Sequence, residues 1–315
     1  MTTLVTGANG FVGSTLCARL RKDGAPVRGA VRSSNVRPGG TEGVTIDGLA
    51  SDTDWSEALK NVEHVVHLAA RVHVMNDKSS DPLAEFRRVN VEGTANLARQ
   101  AAAAGARRFV YLSSIKVNGE FTQEGRPFTS DDAPAPEDPY GVSKHEAEQL
   151  LRQIATETGM EVVIIRPPLV YGPGVKANFE SMMRWLARGV PLPLAAVNEN
   201  RRSLVALDNL VDLIVTCLNH PAAANQTFLV SDGEDLSTAQ LLKRTGTAMR
   251  HPARLFYAPP ALLKLGATVL NKPGIYQRLC GSLQLDIAKT RQLLGWTPPV
   301  SVDEGLRRAA EGFRP

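Results

Sequence analysis

Over the first two-thirds of the chain, short continuous apolar runs alternate with longer segments whose apolar residues recur at helical spacing. The runs predict strands buried on both faces, and the spaced segments predict the helices that cover them. Strands are expected at Leu4-Val5, Pro26–Val31, a run ending Val44-Thr45-Ile46-Asp47, His64–Leu68, Arg107–Leu112 and Glu161–Ile165. Helices are expected from Phe11 through Leu20, over Asp52–Leu59 with Asp52 or Asp54 near its N-cap, over Pro82–Ala104 and over Tyr140–Thr158. This alternation predicts an α/β fold with a doubly wound parallel sheet over residues 1–170. Beyond Val170 the texture changes. A helix at Asn178–Arg188 precedes a strand at Ser203–Leu207, a helix at Asn209–Leu218 and a strand at Thr227–Val230. The strand and helix around 203–230 are expected to return to the first sheet. The rest, short helices broken by Pro259-Pro260, Pro273-Gly274 and Pro298-Pro299, predicts a smaller, interleaved, mixed α/β substrate lobe over residues 171–315. Ala261–Leu270 is amphipathic enough to raise contact with a membrane surface, and packing against the other lobe is the preferred expectation.

The stretch Leu4-Val5-Thr6-Gly7-Ala8-Asn9-Gly10-Phe11-Val12-Gly13 organises the first half. A strand runs into three spaced glycines and leaves as a helix. Gly7 permits the sharp turn. Gly10 and Gly13 remove the Cβ atoms that would otherwise stand between backbone and pyrophosphate, and between helix and strand. The free N–H groups of the new helix, at Phe11, Val12 and Gly13, point toward the phosphates of a dinucleotide, and the helix dipole favours their charge. In a first strand–turn–helix followed by a second strand, this pattern predicts a Rossmann-type NAD(P) site.

Bulk properties narrow the classes. With 43% hydrophobic and 22% charged residues, the chain can bury a large core. The net charge of +4 is scattered, which favours anionic small molecules over nucleic acid. Cys17, Cys217 and Cys280 show no C-x-x-C spacing, so neither a disulfide framework nor a metal site is expected. The first strand begins almost at Met1 and no apolar run is long enough to span a bilayer, so a cytoplasmic protein without stable membrane insertion is expected.

The residues after the second strand bear on cofactor choice. An acid there would bind a ribose 2′-hydroxyl, and an arginine accommodates a 2′-phosphate. This chain has Arg32 and Ser33 and no carboxylate, which favours NADP(H) over NAD(H); the alternative is that Arg32 stacks on adenine and selects nothing. Asp47 or the Leu49 backbone is placed at the adenine edge, with a plain loop aspartate as the alternative, and the small residues after Leu68, Ala69 and Ala70, leave room for the cofactor. His67 lies in a buried strand and reads as a packed histidine; His73 follows it with no metal partner. Tyr140 and Lys144, four apart, share one helix face. A nearby ammonium stabilises a phenolate, making Tyr140 a usable acid/base, while Lys144 can also hold a nicotinamide ribose. Ser114, at a strand end, can bond the same substrate oxygen.

These motifs resemble the extended short-chain dehydrogenase/reductase family, in its nucleotide-sugar epimerase/dehydratase branch. The likeness covers nearly the whole chain: TGANGFVG, HLAA at 67–70, NLARQA after Asn90, LSS at 112–114, YGVSK at 140–144, RPPLVYGPG at 166–174 and RRSLVALDNLVD at 201–212. The resemblance implies a catalytic triad of Ser114, Tyr140 and Lys144, with Asn90 in a helix kink at the cofactor, and a UDP-sugar substrate whose diphosphate meets Arg202, Asn178 and Arg278. Ser113 and Pro167 are further expected to contact the cofactor, and Arg71, Ser114 and Lys116 the substrate. It also implies a homodimer packed through the Pro82–Ala104 and Tyr140–Thr158 helices.

Departures from the family pattern narrow the reaction. The Asp-Glu pair of 4,6-dehydratases is replaced by Ile115-Lys116, so no acid is present to expel a 6-hydroxyl and dehydration is excluded. Val117-Asn118-Gly119 stands for V-Y-G, and Leu169 for an asparagine that contacts sugar. The expected activity is NADPH-dependent reduction of a UDP-2-acetamido-2,6-dideoxy-4-hexulose at C4 for surface-polysaccharide (O-antigen) synthesis. The alternative is a UDP-N-acetylglucosamine or UDP-glucose 4-epimerase with tightly held NAD. A third reading, from a different class, is a catalytically idle dinucleotide sensor.

Overall fold

A computed structural model describes residues 2–32, 40–72, 81–269 and 273–314. The apolar runs become β1 (Thr2–Thr6), β2 (Val27–Val31), β3 (Glu42–Thr45), β4 (Val62–His67), β5 (Arg108–Leu112) and β6 (Glu161–Arg166). Three shorter strands follow, β7 (Leu169–Tyr171), β8 (Leu204–Ala206) and β9 (Thr227–Leu229). Seven strands form one parallel sheet in the order β3-β2-β1-β4-β5-β6-β9.

The register explains why the strands are apolar throughout. Val5, Val66, Val110 and Val163 face one another across β1, β4, β5 and β6, and all point into one core. Leu4, Val65, Phe109 and Val162, one residue earlier in each strand, point into the core on the opposite face. The first face is covered by α1 (Phe11–Lys22) and α6 (Leu207–Asn219), the second by α3 (Gly93–Ala103) and α4 (Pro139–Thr158). The strand order reverses between β1 and β4, so their carboxyl ends open a crevice, the place where such sheets bind ligands.

Three expectations are corrected. Asp52–Leu59 is a series of turns, not a helix. The Asn96 and Gln100 amides both donate to the Thr53 carbonyl, Asn96 also to Ala50, and the Gln100 oxygen accepts from Trp55 N–H, which staples this loop onto α3 with Trp55 fully buried. Asp54 caps only the N–H of Ser56. Pro82–Ala104 is not one regular helix: α2 (Pro82–Arg87) passes through a wide π turn over Arg88–Glu92 before α3 begins. The strand near Ser203 does not join the main sheet; β8 pairs only with β7, whereas β9 returns beside β6.

The remaining segments are α2, α5 (Ala177–Ala187), α7 (Thr238–Ala248), α8 (Pro260–Val269), α9 (Pro273–Cys280), α10 (Ala288–Leu294) and α11 (Val302–Glu311). Leu283, Leu285, Ile287, Leu294 and Trp296 pack back into the core beneath the main sheet. The preferred packing of the Ala261–Leu270 segment against the first lobe is not found. No side chain of α8 is buried, and its Leu263 packs on the small cluster around Leu186, Leu192 and Leu242.

The first turn is as tight as the glycine spacing requires. Gly7 has φ +64°, and a Cβ there would lie 2.9 Å from the Ala69 nitrogen. A Cβ on Gly13 would lie 2.1 Å from the Gly7 oxygen and 2.8 Å from Ala8 Cα, both backbone atoms that cannot turn aside. Gly13→Ala is therefore expected to cost about 3 kcal/mol, the upper range for overpacking. Urea denaturation checks this; an unchanged midpoint would mean that helix and strand are not in contact there.

Candidate active site

The crevice floor is the β1–α1 turn. Gly10 caps α1 with extended backbone, no side chain bonds the first-turn N–H groups, and no acid occupies that turn. The orphan donors of Phe11, Val12 and Gly13 and the positive helix end therefore face the crevice free for an anion. Across from them, Leu68, Ala69 and Ala70 leave β4 with half-buried backbone. Thr6 joins the two strand ends: its Oγ1 accepts from Leu68 and Ala69 N–H at 3.2 Å and stands 2.7 Å from His67 Nδ1. With its lone pairs so engaged, Thr6 donates to Nδ1, which leaves the His67 hydrogen on Nε2, 2.9 Å from Thr94 Oγ1. His67 is fully buried and stacked on Tyr111, and burial with Lys144 nearby pulls its pKa to about 3. It is a neutral clamp, as the strand pattern indicates.

Asn90 sits buried in the π turn. Its amide donates to Arg71 O at 3.0 Å and to Ser143 Oγ at 3.0 Å, and its oxygen accepts from Arg71 N–H at 2.8 Å. The wide turn thus uses this side chain to hold the loop after β4 against α4. Arg71 is half-buried, with its guanidinium 5.6 Å from the centre of the Phe86 ring.

Ser114 ends β5 and caps a short turn, accepting from Lys116 N–H at 3.2 Å. Asp138 caps α4, accepting from Gly141 N–H at 2.6 Å, so Tyr140 and Lys144 lie in its first two turns. A Cβ on Gly141 would come within 2.9 Å of Lys116 O, which shows how closely the start of α4 approaches the segment after Ser114. The Lys144 ammonium donates to Leu112 O at 2.8 Å and lies 4.5 Å from the Tyr111 ring centre and 5.9 Å from that of Tyr140. The Tyr140 ring meets Phe86 edge-on at 6.0 Å, and its hydroxyl makes no hydrogen bond among the described residues.

The expected lowering of the Tyr140 pKa is not found. Burial, with Asp138 adding to it, pushes the phenol above its usual range. Lys144 donates a hydrogen bond to the Leu112 carbonyl, and burial pulls its own pKa to about 7 against the opposing pull of Glu148. Desolvation therefore outweighs the ammonium–phenol attraction in this arrangement.

Beneath the triad lies a network with no obvious sequence marker. Glu148, fully buried, accepts from Arg166 Nε at 2.9 Å and Nη2 at 2.6 Å, and from Ser113 Oγ at 2.6 Å. Arg166 also donates to Asn118 Oδ1 at 2.9 Å. Ser113, expected at the cofactor, is turned into this network. The spacing Tyr140, Lys144, Glu148 continues one helix face and is the signal that would have found the acid.

The other expected contacts scatter. Lys116 is held by Glu120 at 2.7 Å and Asp138 at 2.6 Å, so its charge is used within the chain. Arg202 is half-buried with no carboxylate within ion-pair distance among the described residues; it donates to Gly281 O at 3.1 Å, and burial lowers its pKa. A desolvated guanidinium that donates to a carbonyl and feels Glu120 only at a distance beyond an ion pair suits an incoming anion. Asn178 and Arg278 are exposed on α5 and α9, Arg32 and Asp47 are exposed, and Leu49 packs under Gly93. Pro167 is buried, its carbonyl accepting from Ile115 N–H. Ser33 and His73 lie outside the described residues.

Comparison with known proteins fits this geometry. The model of the NAD dependent epimerase/dehydratase family matches residues 3–231. A UDP-glucose 4-epimerase from Vibrio cholerae is 49% identical over 311 residues, 98% of this chain and 94% of that protein. The chain belongs to the NAD-dependent epimerase/dehydratase family. A second UDP-glucose 4-epimerase, from Mycolicibacterium smegmatis, is 32% identical over 100% of this chain and 99% of its own length. Among solved structures, MoeE5 in complex with UDP-glucuronic acid and NAD superposes with a TM-score of 0.78 at 26% identity, covering 99% of this chain and 98% of that one. The uncapped α1 terminus, the glycine contacts that exclude any Cβ, and the room left by Ala69 and Ala70 all fit a nicotinamide dinucleotide of the kind the family takes.

Proposed function

We propose that this family member is a UDP-hexose 4-epimerase that works with NAD, rather than the 4-keto reductase that its sequence first suggests. The supporting observation is the gathering of Ser114, Tyr140 and Lys144 at the carboxyl end of β5, across the crevice from the bare α1 terminus, with Arg202 in no ion pair among the described residues. The two 4-epimerases similar to it over nearly their whole length support the same reading. A bound dinucleotide supplies reversible hydride chemistry at sugar C4. Phe11, Val12 and Gly13 N–H groups hold its pyrophosphate. Tyr140 takes the O4 proton and gives it back, Ser114 holds O4 by a hydrogen bond, and Lys144 sets the charge beside the phenol. Arg202 anchors the diphosphate of the sugar nucleotide, and two copies pair through α3 and α4.

One observation favours the reductase reading. Arg32 is exposed at the end of β2, the sequence from Arg32 to Thr41 holds no aspartate or glutamate, and a phenol with a raised pKa is in its proton-donating state at neutral pH. Nucleotide released by denaturing the purified protein separates the two. We expect close to one NAD per chain and interconversion of UDP-glucose with UDP-galactose, or of their N-acetylated forms. Protein that carries no nucleotide, and oxidises NADPH with a UDP-4-hexulose, would replace the epimerase reading with the reductase one.

A further inference from the structure

We infer that α8 and the loop before it form a docking surface for an anionic phospholipid bilayer. A helix lying on a protein surface ordinarily turns its polar side outward. In contrast, α8 is apolar on both its inward and its outward side. Leu263 and Ala267 share the inward side, yet Leu262, Leu265 and Val269, at helical spacing on the outward side, are 59%, 60% and 76% exposed. Phe256 and Tyr257, in the loop that leads into the helix, are 50% and 72% exposed. Single exposed apolar residues need no explanation, but five large ones on one short segment do.

Charge decides which partner fits. From Leu236 to Leu285 the chain has no aspartate or glutamate and carries seven lysines and arginines, whereas over the rest of the chain acids outnumber those bases. Lys264 lies on the flank of α8, and Arg254 and Arg278 are exposed in the neighbouring segments. An apolar helix face whose own and flanking segments carry cations and no acid is what inserts shallowly among lipid chains while its charges meet anionic headgroups. A protein groove would call for acids or free hydrogen-bonding groups on α8 to fix register; α8 has no acid, and the hydroxyl of its exposed Thr268 is already donated to Lys264 O. No helix among the described residues is long and apolar enough to cross a membrane, so the contact is peripheral.

The position gives the contact a use. The α8–α9 hairpin is attached to the lobe at its far end, where Leu279 O accepts from Thr238 Oγ1 at 2.6 Å and Gly281 O accepts from Arg202. Docking through α8 therefore sets the Arg202 side of the crevice near the bilayer surface.

Sedimentation with vesicles tests this. The intact protein is expected to bind vesicles of phosphatidylglycerol and phosphatidylcholine, to bind pure phosphatidylcholine far less, and to be released by high salt. Leu262→Glu with Leu265→Glu, both on exposed positions, is expected to reduce binding about ten-fold or more and leave circular dichroism and turnover of soluble UDP-sugar unchanged. Lys264→Glu should weaken binding to anionic vesicles alone. Equal binding to both vesicle types, or none, overturns the inference. So does a double variant that keeps full binding, or one that instead converts a dimer to a monomer, which would assign the face to a second copy of this chain.

Discussion

Tyr140→Phe is expected to lower turnover by about a hundred- to ten-thousand-fold, the usual contribution of a positioned acid–base group. The substitution removes one oxygen and keeps the ring in its edge contact with Phe86. That oxygen makes no hydrogen bond among the described residues, so its loss leaves no buried partner unsatisfied and folding stability should hold. KM should change little, because the loss falls on the step that moves a proton and not on the diphosphate contacts. Steady-state kinetics on UDP-glucose, together with thermal unfolding and bound-nucleotide content, separates these effects. A variant with normal nucleotide content and more than a tenth of the parent rate would remove Tyr140 from the chemistry. If the parent protein itself binds dinucleotide but turns over no sugar nucleotide, the sensor reading gains instead.

The second large effect concerns the buried pair beneath the triad. Glu148→Ala should destabilise the fold by about 3–5 kcal/mol, because it strands the Arg166 guanidinium in a fully buried site without its carboxylate. Ser113 loses its acceptor at the same time. Replacing both partners, as Glu148→Leu with Arg166→Met, should recover much of that loss, since neither charge then remains without the other. Denaturant unfolding of the two single variants and the double variant gives the coupling directly. Additive losses would show that the pair is not the unit that stabilises this region. Glu148 also opposes the desolvation of Lys144, so a folded Glu148→Gln protein should hold its Lys144 ammonium less firmly. The descending alkaline limb of its rate profile should then move to lower pH, which a purely structural role for Glu148 would not produce.

The centre of the main sheet was legible because β1, β4, β5 and β6 turn apolar side chains into a core on each face, whereas the edge strand β3 is mostly exposed and carries a weaker apolar signal. The glycine turn was legible because φ +64° at Gly7 and the helix–strand contact at Gly13 admit no other residue at low cost. Asp52–Leu59 misled because its spacing is helical, while its Thr53 carbonyl is taken by both Asn96 and Gln100, side chains more than forty residues away. Local spacing carries no record of such distant partners. The same blindness hid the Glu148–Arg166 pair and the use of Asn90 as a brace. Residue type and helix position identified Tyr140 and Lys144. Which way the lysine points depended on the Leu112 carbonyl, and the phenol's acidity was set against the expectation by its burial, with Asp138 adding to it.

The return of Leu283, Leu285, Ile287 and Trp296 into the core under the main sheet has a consequence for how such enzymes diversify. Asn209 adds to it, bonding Val300 through both its amide and its oxygen. The family match ends at residue 231, but the chain has no seam there. A chimera joined at that point would inherit half of a shared interior from each parent and would have to reconcile the two shapes. New substrate preference in this architecture is therefore reached by point changes on the crevice walls more readily than by exchange of whole modules.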